Sequence, residues 1–156
     1  MPHLLKLQLL HPKTIMPIGN YGHSLRKKDM AENKERHIVE SFIKFYNAFQ
    51  IPEMVELFAD DCVFENISNS SGSLKCHGKE ELLKLAKGCA SYFQERKLTT
   101  TNWIFAKDKV VVEIEYTSIL AQDFPNGLKK GDTFKLKGVS VYEFENSKIK
   151  RLADYS

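Results

Sequence analysis

The chain has 156 residues, enough for one domain with its own core. Composition is that of an ordinary globular domain, with 42% hydrophobic and 28% charged residues, and the formal net charge is only +3. Much of that excess lies at Lys6, Lys13, Arg26, Lys27 and Lys28, ahead of the first acid, Asp29. There is no arginine stripe and no RNA-binding motif, so no nucleic acid is expected as a partner.

No window approaches the ~18 apolar residues that span a bilayer, so no membrane partner is expected either. Cys62, Cys76 and Cys89 are odd in number and share no C-x-x-C spacing. That argues against a disulfide framework and against a zinc site. Reduced, partly buried thiols in a cytoplasmic protein are expected, with no metal and no cofactor.

Residues 1–29 differ from the rest. Leu4-Leu5-Lys6-Leu7-Gln8-Leu9-Leu10 is apolar but interrupted, and no clear small-residue cleavage site follows it. The segment is basic and almost free of acids, which also fits an organelle transit peptide. Pro12, Pro17, Gly19 and Gly22 break regular structure. The expectation is a flexible extension, or an upstream-start artefact, over 1–29 and a folded domain over 30–156.

From about Asn33 to Phe49, Ile38, Val39, Phe42, Ile43, Phe45, Tyr46 and Phe49 recur at helical spacing with a wide apolar face. Pro52 suits the first turn of a second helix ending at Phe58. Phe58-Ala59-Asp60-Asp61 then reads as a helix end. Cys62 to Asn66 alternates as a short strand, and the Asn, Ser and Gly of Ile67 to Gly72 predict a loop. Gly78 to about Phe93 is a third helix carrying Leu82, Leu83, Leu85, Ala86, Ala90 and Phe93.

Then the period changes. Lys97–Ala106, Val110–Ala121, Thr133–Glu145 and Lys148–Tyr155 are β-rich runs. They are separated by Lys107-Asp108, by Pro125-Asn126-Gly127 with Gly131, and by Asn146-Ser147. Helices first and long antiparallel strands afterwards predict an α+β fold, with about three N-terminal helices covering the concave face of a curved sheet.

Alternation groups Val112, Ile114, Tyr116 and Ser118 on one face. It groups Phe134, Leu136, Gly138, Ser140, Tyr142 and Phe144 on another, and sets Leu152 with Asp154 against Arg151, Ala153 and Tyr155. Phe42, Tyr46 and Phe58 from the helices, with Trp103, are expected to close over the sheet. That cluster is either plain core or the wall of a pocket.

Asp60 and Asp61 look like paired carboxylates, but a solvated turn explains them. His77, in Cys76-His77-Gly78, has a neighbouring thiol that points away from it. Glu113 and Glu115 alternate with apolar residues and belong on the sheet's outer face.

Three pieces carry a resemblance: Phe58–Asp61, Gly138-Val139-Ser140-Val141-Tyr142-Glu143-Phe144, and Lys148-Ile149 through Asp154-Tyr155. With them, the stretch from about Glu32 to Ser156 resembles the SnoaL-like, nuclear transport factor 2-like superfamily. That superfamily includes ketosteroid isomerases, polyketide cyclases and limonene-epoxide hydrolases. The resemblance implies a cone-shaped, strongly bent, mainly antiparallel sheet closed by helices, and a homodimer formed through the sheet.

Fold does not fix reaction. The isomerase pattern wants an aspartate base where Asn66 stands, a tyrosine where Phe42 stands and an acid where Ser140 stands. An amide cannot take a proton from carbon, so that chemistry does not run through Asn66. The epoxide hydrolase pattern is half present. Asn66 and Asp154 match its water-holding pair, while its tyrosine falls on Phe64 and its arginine–aspartate pair on Ile114 and Tyr116. The cyclase pattern again points to Asp154, without its histidine partner.

The expected site is therefore Asp154 with Asn66 as the catalytic pair. Phe42, Tyr46, Phe58, Trp103, Tyr116, Ser140 and Tyr142 are expected to bind a small hydrophobic, oxygenated ligand or substrate. A carboxyl facing an apolar cavity has its charged form destabilised, which makes it a usable proton carrier. The alternative is a non-catalytic ligand-binding or dimerisation module.

Overall fold

The computed structural model describes residues 21–68 and 72–156, with side chains described from Arg26 onward. The expectations for residues 1–20 lie outside the described residues. The first helix, α1, runs Tyr21–Asn47, starting well before Asn33 and taking Gly22 within it. Its buried face follows a spacing of three and four: Glu35, Val39 and Phe42 are buried, with Tyr46 half-buried one turn on. Phe49 reverses the chain with φ 57°. The short α2, Ile51–Val55, has proline in its first turn and buries Ile51, Met54 and Val55.

The first strand, β1, is Phe58–Ser68, and β2 is Gly72–His77. Here the expectation is corrected twice. Phe58-Ala59-Asp60-Asp61 is not a helix end but the start of a strand. Its pairing with the last strand is irregular between Phe58 and Val63, so the two aspartates fall in a bulged stretch. The Ser- and Gly-rich loop is shorter than expected, because Ser68 and Gly72 already pair across a hairpin.

The third helix, α3, is Gly78–Ala90; the Glu81 carboxylate accepts the His77 N–H at its start at 2.8 Å. Strands β3 (Phe93–Ala106), β4 (Lys109–Leu120), β5 (Thr133–Glu145) and β6 (Lys148–Tyr155) complete the chain. Asn146 and Ser147 both take positive φ, which suits a tight β5–β6 hairpin.

The six strands lie in the order β2-β1-β6-β5-β4-β3. All neighbours are antiparallel except β1 and β6, which run parallel. Bulges in the β3–β4 and β1–β6 pairings bend the sheet. The α1 helix packs on β3 and β4, α3 packs on β1 and β2, and α2 bridges the two helices. The result is the α+β architecture of helices on one curved, mostly antiparallel sheet.

On β4 the alternation is strict: Val110, Val112, Ile114, Tyr116, Ser118 and Leu120 are buried, while Glu113 and Glu115 are exposed. At Gly138 a Cβ would lie 2.4 Å from the Tyr155 carbonyl oxygen. The missing side chain is what lets the end of β6 come in against β5.

Candidate active site

One row of the sheet carries the polar end of the cavity. Asn66 on β1 and Ser140 on β5 are the direct cross-strand neighbours of Asp154 on β6. Because paired residues share a face, all three project to the same side, beneath the helices. The Ser140 hydroxyl donates to Asp154 Oδ1 at 2.5 Å. Among the described residues no cation pairs with this carboxyl, and burial pushes its pKa up to about 6, with the Ser140 hydrogen bond opposing part of that rise. Asp154 keeps some accessible surface, and it lines the cavity.

The cavity has a volume of about 310 Å³. Its floor is the sheet, through Phe64, Leu152, Ile114 and Leu136. Its roof is α1, α2 and α3, through Phe42, Met54, Leu82 and Leu85. Leu74, Tyr155 and Ser156 also line it, and Leu74 and Tyr155 are exposed, which marks the mouth. An apolar chamber with a few polar groups is the common form of a small-molecule site.

Of the residues anticipated from sequence, Asp154, Asn66, Phe42, Tyr46, Phe58 and Tyr116 line this cavity. Ser140 and Tyr142 do not; they form the layer directly behind it. Ser140 holds Asp154 in place, and Tyr142 is fully buried, with Phe42 edge-on at 5.7 Å. The Tyr142 hydroxyl is buried beside Ser140 and Asp154. Its pKa is pushed well up by burial and then by the nearby Asp154.

Trp103 is elsewhere. It stacks on Phe105 at 5.9 Å with the Arg36 guanidinium 4.5 Å above its ring, and it is not among the cavity-lining residues. The reason is topological: β3 is the edge strand, and its Trp103 end lies against α1 rather than over the Asp154 row.

Arg96 was not anticipated. It lines the cavity yet is only 6% exposed. Its guanidinium lies 3.7 Å from the Tyr46 ring centroid and 4.3 Å from that of Phe49, and its Nε donates to the Tyr46 carbonyl at 2.8 Å. That carbonyl belongs to the last turn of α1, where a cation is favoured. The Asn47 amide locks the same junction, donating to the Leu98 carbonyl at 3.0 Å and accepting the Leu98 N–H at 2.7 Å. The sequence signal was present: Arg96 alternates in phase with Leu98 on the buried face of β3.

The remaining candidates have ordinary partners. Asp61 pairs with Lys150, and Asp60 with Lys79 at 3.4 Å. His77 only opens α3 through its backbone. The three cysteines are free thiols. Among the described residues no group of three or more His, Cys, Asp or Glu is placed to hold a metal ion, and no helix is long and apolar enough to cross a membrane.

Known structures share this fold at low sequence identity. A phenazine biosynthesis-related protein from Pseudomonas aeruginosa is 15% identical with a TM-score of 0.68, covering 84% of each chain. An LEH-like epoxide hydrolase from M. tuberculosis is 15% identical with a TM-score of 0.64, covering 79% of this chain and 82% of its own. A Catenulispora acidiphila protein with a ketosteroid isomerase-like fold is 18% identical with a TM-score of 0.63, covering 76% of this chain and 84% of its own. No curated protein sequence matches significantly. The SnoaL-like domain family matches residues 39–152, most of the folded chain, and this protein belongs to that family.

Proposed function

We propose that the cavity takes a small hydrophobic, oxygenated molecule and that Asp154 moves a proton on it, in an isomerase-, cyclase- or hydrolase-like reaction. The observation that carries this is a carboxyl paired with no cation among the described residues, lining a mostly apolar cavity, with its pKa pushed up to about 6. Near neutral pH such a group exists in both forms, so it can take a proton from carbon or water and give it back. Asn66, its cross-strand neighbour, can orient a substrate carbonyl or a water beside it. Ser140 fixes the carboxyl's rotamer, which is positioning and not proton transfer.

The reading is tested by proton exchange. Small cyclic ketones such as 2-tetralone and cyclohexenone are incubated in D₂O, and loss of the α-proton signal is followed by NMR. Catalysed exchange that vanishes in Asp154→Asn supports the assignment. Exchange at the wild-type rate in that variant removes Asp154 from the chemistry.

A second reading is a non-catalytic ligand-binding module. It is favoured by the Ser140 hydrogen bond, which already occupies one carboxyl oxygen. Saturable ligand binding with no exchange or turnover on any probe selects it.

The free thiols fit a reducing compartment, and we place the protein in the cytoplasm. We also propose a homodimer through the outer sheet face. There Ile104, Val111, Val141 and Ala153 form one apolar cross-strand row, and Ile104 is 55% exposed. Light scattering that gives a monomer mass for wild type removes the dimer; a monomer mass for Ile104→Lys alone supports it.

A further inference from the structure

The cavity wall has a second polar patch, at the end formed by β3 and β4. Arg96 is the cross-strand partner of Ser118, and Tyr116 lies on the next inward position of β4. Tyr46 comes down from α1 and meets Tyr116 edge-on, at 6.4 Å between centroids. Two buried polar atoms of this patch, Arg96 Nη2 and Ser118 Oγ, have no hydrogen-bond partner among the described residues, and the Tyr116 hydroxyl lies within hydrogen-bonding reach of Tyr46. No carboxylate of the described chain pairs with Arg96. Burial lowers its pKa, yet a guanidinium remains a cation.

A buried cation without an anion is costly, and two face-on aromatic rings offset only part of that cost. Groups of this kind are uncommon unless something else completes them. Asp154 does not: it sits on β6, three strands from β3 in the sheet order, and its hydrogen bond is to Ser140. Arg96 pairs with Ser118, which faces Phe134 on β5, six residues from the Ser140 that faces Asp154, so the acid and the cation stand at different ends of one chamber. The patch holds one fixed positive charge and two hydroxyls, and Arg96 and Tyr116 both border the cavity.

We infer that the ligand of this cavity carries a carboxylate, which the Arg96 guanidinium and the Tyr116 hydroxyl receive at the end away from Asp154. A guanidinium matches the planar, two-oxygen geometry of that group. The rest of the ligand then lies along Phe93, Phe134 and Ile114 and presents its reactive carbon or carbonyl to Asp154. The inference deepens the small-molecule reading of the same cavity and rests on it. It narrows the substrate class to hydrophobic acids, with the charge acting as handle rather than reaction centre.

The test uses matched pairs of probes: trans-cinnamate with cinnamamide, 1-naphthoate with 1-naphthamide, and 4-phenylbutyrate with its amide. Binding is measured by NMR titration of the folded chain at neutral pH. At least one acid is expected to bind roughly tenfold or more tightly than its amide, as a charge-assisted pair requires. In Arg96→Gln that preference is expected to disappear while the amide binds as before. Arg96→Lys is expected to keep a reduced preference.

The amide is the control for folding: if both members of a pair lose binding, Arg96 serves the fold and the inference fails. It also fails if no pair shows an acid preference in the wild type, or if the preference survives in Arg96→Gln. Asp154→Asn separates the two readings. It is expected to abolish exchange and leave the acid preference intact, so each can fail alone.

Discussion

The two faces of β6 treat charge in opposite ways. On the outer face Arg151 donates to Glu65 at 2.6 and 2.9 Å and to Glu143 at 3.0 Å, and Lys75 adds to Glu65 at 2.9 Å. Hydrogen bonds from Lys75 and Arg151 hold the Glu65 carboxyl below its usual range. On the inner face Asp154 has one hydroxyl and an apolar chamber, and burial moves it the other way. One strand thus carries a network in which each charge is answered and, three residues on, a carboxyl that is not. The first arrangement anchors the parallel β1–β6 contact. The second keeps a proton within reach of neutral pH, a cost to stability that structure alone would not select.

Removing the inner carboxylate tests the contrast hardest. Asp154→Asn is expected to lower catalysed exchange by about a hundredfold or more, the usual worth of a positioned acid–base group. The same substitution is expected to stabilise the fold. Asp154 has a folded pKa above that of an unfolded aspartate, so the folded state holds its proton more tightly. Its favourable contribution is complete below about pH 4 and is lost as pH rises through about 6. Urea unfolding should therefore show Asp154→Asn ahead of wild type by up to about 3 kcal/mol near pH 8, and level with it near pH 4. Equal stability at both pH values would mean that the carboxyl is not desolvated.

Gly138→Ala attacks the support of the inner face. The new methyl must displace the Tyr155 carbonyl, beside Asp154, and a loss of about 1–3 kcal/mol is expected in thermal melting. A neutral result would mean that the end of β6 can move aside freely. The smallest effect is on the outer face. Glu65→Gln breaks two partly solvated pairs and is expected to cost less than about 1 kcal/mol, shrinking further in added salt. A loss rivalling that of Gly138→Ala would overturn the distinction between the faces.

Much of this was legible in the chain. Two of the four long strands have their expected bounds and the others shift by a few residues at their ends, because alternation on a half-buried strand is a strong signal. The inward set from Val112 to Ser118 followed from the same alternation. Asp154 stood out as an acid in phase with Leu152. What failed was local. Phe58–Asp61 was read as a helix end because two aspartates suggest a turn, whereas the bulged pairing to β6 makes it strand. The β2 strand has little β propensity of its own and exists because β1 offers an edge. Trp103 is grouped by sequence with the aromatics that close over the sheet, but position in the sheet order decides that, and sheet order is not written locally. Arg96 is not among the expected site residues, although its phase with Leu98 places it inside.

The parallel contact between β1 and β6 also bears on how the molecule is made. Glu65 and Arg151, which meet there, are 86 residues apart, and the Asn66–Asp154 pair closes in the same step. Nothing nearer in the chain can bring them together, so this closure carries a large share of the loop entropy of folding. Helices and the β3–β4–β5 meander can form from neighbours, while the polar row of the cavity waits for the longest-range encounter. A chain halted before that encounter would have most of its secondary structure and an open, apolar, unfinished chamber. Slow acquisition of ligand binding after fast recovery of circular dichroism is the kinetic signature that such an assembly order leaves.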